Sequence, residues 1–321
     1  MTRLIWAEAS RLFSRRFTGM ALLVLLLALS GYQLVVNKAL SPLSEEQLAT
    51  AQRAYDQAHQ DWIANHENYE RDCRETGGAP QECAIPEPTV ADFTVDPTPF
   101  QEVARTAIEL STVLVGLVAF MIAASFIGAE YGTGSIANWL TFIPRRGHVF
   151  WSKLLTLIGF GALLGAFGVA LVLTAGLVLA RLHASRIESV RELAGLGARS
   201  IVVVIGLAVL GFCIGLVTRH TAGAIGVLLA YLIVFVLRMG FLGERSWSQR
   251  VTPFTPEGNL AAILDHGYSY SVPVEKVTAN GVSTELVQHT VSLAHGAIYW
   301  TILLAVVVVG SLMIFRRRDV V

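Results

Sequence analysis

The groups in this sequence that could do chemistry are its cysteines, its histidines and the few charges that interrupt apolar runs. Cys73 and Cys83 stand in one polar stretch, and Cys213 stands in an apolar one. Two thiols in one polar loop suit a disulfide formed in an oxidising compartment. His266, His289 and His295 share a second polar region, but their spacing matches no standard ligand set. They read as surface histidines, and no metal is expected. Gly132-Thr133-Gly134-Ser135 has the glycines of a phosphate loop without its lysine and follows no strand, so it reads as a helix break. The sequence contains no G-x-x-x-x-G-K-[ST], no H-E-x-x-H and no G-x-S-x-G. These absences argue against a nucleotide hydrolase, a metalloprotease and a lipase, and no catalytic residue is expected.

The elements that position these groups are mostly apolar. The chain has 321 residues, 54% of them hydrophobic and 15% charged, which fits a polytopic membrane protein rather than a soluble domain. Residues 1–16 read as an amphipathic interfacial helix, with Arg3, Arg11, Arg15 and Arg16 suited to anionic headgroups. Residues 17–38 form the first span. Ala28-Leu29-Ser30 resembles a signal cleavage site, but the polar segment ahead of it is long and patterned, so the span is read as retained. Residues 39–106 form a stalk. Ser44 and Gln47 make a capping box, and Leu48, Ala51, Tyr55, Ala58, Trp62, His66, Tyr69 and Cys73 line one helical stripe. A proline-rich return, Ala84 to Pro99, is expected to lie back along that helix.

Residues 107–240 hold spans two to five, at 107–129, 150–180, 201–217 and 222–237. Residues 181–199 read as a polar connection, and Thr218-Arg219-His220-Thr221 as a tight turn. Residues 241–295 form a second long polar region, with a short helix at Asn259–Leu264. Strands flank Asn280-Gly281, a two-residue hairpin signal. Residues 296–321 are the sixth span and a basic tail. The expected fold is therefore all-α, with six membrane helices, a helical stalk and a small hairpin-bearing outer region. With both ends inside, eleven bases lie on the cytoplasmic side against three acids, Glu8, Glu130 and Asp319. The bases cluster at span ends, where the positive-inside rule counts them. Arg105 and Glu109 are spaced for an i,i+4 ion pair, and Arg199 and Arg238 are expected to reach outer headgroups.

One stretch stands out between spans two and three. It runs Glu130-Tyr131-Gly132-Thr133-Gly134-Ser135-Ile136-Ala137-Asn138-Trp139-Leu140-Thr141-Phe142-Ile143-Pro144-Arg145-Arg146, and on to Lys153. Ile136, Leu140 and Ile143 share a helical face with Trp139 beside them, and Pro144 ends the segment. This order of residues resembles the first cytoplasmic loop of type-2 ABC transporter permeases. Pro253 to Leu264 and the tail Phe315-Arg316-Arg317-Arg318-Asp319-Val320 are similar to that family as well. The stretch from Ala39 to Phe100 is not covered by the likeness.

The resemblance implies a coupling helix at 131–146 that docks on an ATPase subunit. It assigns Glu130, Tyr131, Ile136, Trp139, Leu140, Ile143, Arg145 and Arg146 to that contact, with Arg219 and His220 in the second cytoplasmic turn. It implies a multi-pass permease in the plasma membrane, a second copy or similar chain, and two copies of an ABC ATPase carrying ATP and Mg. This chain would bind no cofactor and no nucleic acid. The cargo would be lipophilic, a drug, antibiotic or lipid, moved outward. The alternative is a transmembrane signalling or scaffolding subunit without cargo, to which the stalk would contribute.

Overall fold

The computed structural model describes residues 2–77, 79, 81–94, 98–136, 145–242, 246–278 and 281–317. Ten α-helices lie in the described residues: α1 (Thr2–Phe13), α2 (Arg16–Leu40), α3 (Glu45–Glu75), α4 (Phe100–Gly132), α5 (Arg146–Leu182), α6 (Val190–Thr218), α7 (Thr221–Phe241), α8 (Ser246–Arg250), α9 (Pro256–Leu264) and α10 (Leu293–Arg317). A two-stranded antiparallel ribbon, β1 (Tyr268–Thr278) and β2 (Gly281–Val291), lies between α9 and α10. Six of the helices, α2, α4, α5, α6, α7 and α10, are long and apolar enough to cross a bilayer. The protein is an all-α polytopic membrane protein.

The bundle is organised around α4. Of its most apolar stretch 67% is buried, against 6% for α7 at the periphery. Its most extensive neighbour is α6. Glycine explains how close the two come. A Cβ on Gly211 would lie 2.2 Å from the Phe120 carbonyl oxygen, and one on Gly215 would lie 2.9 Å from that of Ala124. Leu207 reaches into the space left by Gly116 one turn further along. Positions 116, 120 and 124 thus meet 207, 211 and 215 in the same order, so the two helices run parallel. On the other side α5 runs antiparallel to α6. Gly161 and Gly165 face the backbone of Ile205 and Ile201 there. Small residues at four-residue intervals let helix backbones approach in a medium that gives no hydrophobic drive to associate. The α2 helix adds a stripe, Leu25, Leu29, Val36 and Leu40, all buried.

The spans are longer than the sequence suggested. The α4 helix begins at Phe100 rather than Ala107, and α6 begins at Val190 rather than Ile201. The polar connection expected at 181–199 shrinks accordingly to 183–189. Charged residues at a helix end do not stop it when they find partners, as Arg105 does at Asp265 and Arg199 at the Leu264 carbonyl. The hairpin forms, but its ladder pairs Thr278 with Gly281, which puts Gly281 in the strand and not in the turn. The β1–β2 ribbon and α9 lie at the face opposite the chain ends, called here the distal face; the face carrying α1 is the terminal face.

A long helix, α3, follows the first span, and of the stripe read from the sequence Ala51 is buried while Leu48 and Tyr69 are exposed. Ser44 caps α3 with Gln47 in a reciprocal capping box. The return segment lies against the helix. The Trp62 indole donates to the Ile85 carbonyl at 3.0 Å, and the Ile85 amide donates to Glu70 at 3.1 Å. His59 contacts Glu87 at 2.9 Å. Tyr55, His59, Trp62 and His66 stack in series along one face. Cys73 and Cys83 are disulfide-bonded, with their Cα atoms 5.6 Å apart. Peptide mapping without reduction should recover the linked Cys73 and Cys83 peptides. Cys73→Ser should loosen only the tip of α3, by roughly 2–3 kcal/mol for so short a loop. The unfolding midpoint of the membrane bundle should stay where it is. Free thiols at both positions in fresh membranes would count against the bridge.

Candidate functional site

At the terminal face the stems of the 133–145 connection are fixed by charge. Lys153, two turns into α5, is 1% exposed. Its ammonium donates to both carboxylate oxygens of Glu8 at 2.9 Å and to Glu130 Oε1 at 2.8 Å. Glu130 Oε2 lies 2.7 Å from the same nitrogen as an ionic contact. Glu8 belongs to α1 and Glu130 to the last turn of α4. A second cation completes the set. Arg15 sits 4.0 Å from Glu130, donates to the Ser125 carbonyl at 3.0 Å and lies over the Phe126 ring. Lys153 lies over the same ring, 5.0 Å from its centre. Two carboxylates thus meet two cations, which is the condition for keeping such groups out of water.

Local sequence explains why these helices deliver their charges inward. Ile5, Glu8 and Leu12 fall on one face of α1, and Glu8 and Leu12 are wholly buried. The Thr156 hydroxyl of α5 reaches the Ile5 carbonyl at 3.4 Å, and the Phe13 ring meets Phe160 edge-on at 5.8 Å. α1 is therefore strapped to α5. The α4 helix ends where the glycines say it should, with Gly134 in the left-handed region at φ +68°.

The second turn is brought to the same place. Gly128 lets the backbone at His220 and Thr221 approach α4; a Cβ there would be 2.5 Å from the Thr221 nitrogen. Arg219, itself left-handed at φ 59°, lies over the Tyr131 ring at 5.5 Å. Arg146 donates to the carbonyls of Phe315 and Arg316 at 3.4 and 3.3 Å, closing the last turn of α10. The terminal face thus gathers the ends of α4, α5, α6 and α10 with α1.

The residues singled out in the sequence divide three ways. Tyr131 and Arg219 are brought together, His220 and Arg145 are exposed beside them, and Arg146 ties the bundle end. Glu130 and Ile136 are placed differently from expectation. Glu130 is 2% exposed and faces Lys153, while Ile136 is 1% exposed within the main apolar core. Neither presents its side chain to a docking partner. Trp139, Leu140 and Ile143 lie outside the described residues. Arg238 also departs from expectation: it pairs with Glu257 at 2.7 Å, and Tyr231 donates to the same carboxylate. Arg199 bonds the Leu264 carbonyl at 3.1 Å. Both hold the distal cap, not bulk headgroups. Arg105 makes the expected pair with Glu109 at 3.0 Å and a second with Asp265 at 2.8 Å. No group of three or more metal-ligating side chains occurs among the described residues.

The model of the ABC-2 family transporter proteins matches residues 5–320, almost the whole chain and the stalk with it. The chain belongs to this family. Membership makes it a permease subunit of an ABC transporter, and association with an ABC ATPase goes with the family in general. A search of curated proteins finds no match. The 133–145 connection joins α4, the core of the bundle, to α5, and the Lys153 cluster holds both stems against α1.

Proposed function

We propose that this ABC-2 permease is the membrane half of an ATP-driven exporter, working as a dimer. Two ATPase subunits dock at the terminal face, which is cytoplasmic. The observation that carries this reading is the Lys153 cluster: movement of either stem of the 133–145 connection must move α1, α4 and α5 together. The exposed Arg145 and His220 and the Tyr131–Arg219 pair flank the docking area. The disulfide in the stalk supports a distal face outside the cell, where thiols oxidise. Long apolar spans with few charges suit a lipophilic cargo taken from the cytoplasm or inner leaflet. The ATP and Mg belong to the partner; this chain carries no phosphate loop.

The test is made on the segment assigned to docking. Trp139→Glu should reduce copurification of the ATPase and abolish cargo-stimulated hydrolysis, because an aromatic anchor contributes about 2 kcal/mol or more to an interface. His289→Glu, on the distal ribbon, should change neither. ATP-dependent cargo movement in liposomes separates an exporter from a signalling subunit. Full copurification and full stimulation in Trp139→Glu would remove the segment from the docking site.

A further inference from the structure

The distal face holds a polar cavity of about 860 Å³ between the ends of α4, α6 and α9. Its walls include Gln101, Arg105, Arg191, Glu192, Arg199 and Asp265. Its volume is that of a small-molecule site. The carboxylates in it are largely committed. Asp265 is bound to Arg105 at 2.8 Å, and Glu192 accepts from the Gln101 amide at 3.3 Å. The arginines are less so. Arg191 has no partner among the described residues, and Arg199 spends only its Nε, on the Leu264 carbonyl. Both guanidinium groups therefore keep donors for something that enters.

Depth decides what that is. Arg105 stands two residues before the apolar run that starts at Ala107, and Arg199 two residues before the run that starts at Ile201. Both therefore lie at the boundary between hydrocarbon and headgroup. An arginine there can simply reach toward bulk lipid. These instead line one half-open cavity whose wall includes Leu264 and Asp265. We propose that this cavity is a binding site for the phosphate of an amphiphile, with Arg191 and Arg199 as its ligands. Guanidinium matches phosphate oxygens in pairs, and a phosphate held at this depth leaves the rest of the amphiphile in the surrounding lipid. The proposal concerns binding alone and stands whether or not the chain exports anything.

The experiment titrates the full-length chain in neutral detergent micelles with phosphatidylglycerol, or with diacylglycerol of the same acyl chains. Bound lipid is counted by native mass spectrometry. The phosphate-bearing lipid should be retained about tenfold more than diacylglycerol, and Arg191→Gln should lower that retention by about tenfold, the scale of one charge-assisted hydrogen bond. Arg191 is exposed and has no partner among the described residues, so its loss leaves the fold intact. Arg199→Gln should act in the same direction. Inorganic phosphate is then added as competitor. Displacement would mean that soluble phosphate esters also fit, and resistance would mean that the chains are required; the site stands in either case. Equal retention of the two lipids, or wild-type retention by Arg191→Gln, overturns it.

Discussion

Gly211→Val is expected to lower the thermal midpoint of the bundle further than any other single glycine substitution on the α4–α6 contact. A Cβ at this position would sit 2.2 Å from the Phe120 carbonyl oxygen and 2.8 Å from the carbonyl carbon and Cα, so all three obstacles are backbone. A side chain could rotate away; a helix backbone cannot without parting from its neighbour. Overpacking a core with a few methyl groups costs about 1–3 kcal/mol where side chains can give. Here the contact between the two most extensively packed helices must open along its length, so the loss should lie at or above that range. Gly215→Val should behave alike, since Ala124 backbone atoms lie within 3.0 Å of its added Cβ. Gly159→Ala and Gly226→Ala meet nothing within 4 Å and should keep the wild-type midpoint. The measurement is the thermal midpoint of the detergent-solubilised chain. A Gly211→Val protein melting with the wild type would mean that α4 and α6 do not pack as described.

Much of this fold can be read from the residue pattern. Six apolar runs, the Ser44–Gln47 box and the Cys73–Cys83 pair each act through local chemistry, so local sequence reveals them. Helix ends were harder. Phe100 to Arg105 and Val190 to Arg199 mix charges with apolar residues, and only the distal partners, Asp265 and Leu264, show why helix continues through them. The glycines of α6 were visible as residues, but their partners were not. Nothing local indicates that Gly211 faces Phe120 while Gly161 faces Ile205.

The site was legible in its outline and not in its chemistry. The helix break at Gly134 and the bases flanking the connection follow from the sequence alone. The Lys153 cluster was missed because its members come from three separate segments. A usable signal was present. Glu8 is the one acid in α1 and shares a face with Ile5 and Leu12, while Glu130 and Lys153 each sit at the edge of an apolar run. Ionisable groups so placed need partners, and span order brings two cations to these acids, Arg15 after α1 and Lys153 near the start of α5. Glu130 shares a helical stripe with Phe126 and Ile127, both fully buried, and that stripe turns it inward.

Lys153→Met should release α1 and, with it, the stems of the connection. The substitution keeps the volume and removes the charge that Glu8 and Glu130 share. Two buried carboxylates are then left facing each other, with Arg15, 4.0 Å from Glu130, as their remaining cation among the described residues. Leaving a buried ion without its partner costs about 3–5 kcal/mol, far more than an exposed pair is worth. The cheapest relief is local. α1 can swing out and carry Glu8 to water, because its remaining hold is Leu12, the Phe13 edge contact and one hydroxyl bond. Tryptic cleavage after the exposed Arg11 should then accelerate on the order of a hundredfold or more while the spans stay folded. Glu8→Gln or Glu130→Gln should cost less, since Lys153 keeps one carboxylate in each. The triple variant Glu8→Gln, Glu130→Gln, Lys153→Met should recover most of the protection, because a neutral cluster has no charge to desolvate. That recovery separates an electrostatic clasp from simple packing, which the triple variant would disturb most. Cleavage of Lys153→Met at the wild-type rate would show that α1 is held by its apolar face alone, and the route from the connection to the N-terminal helix would have to run elsewhere.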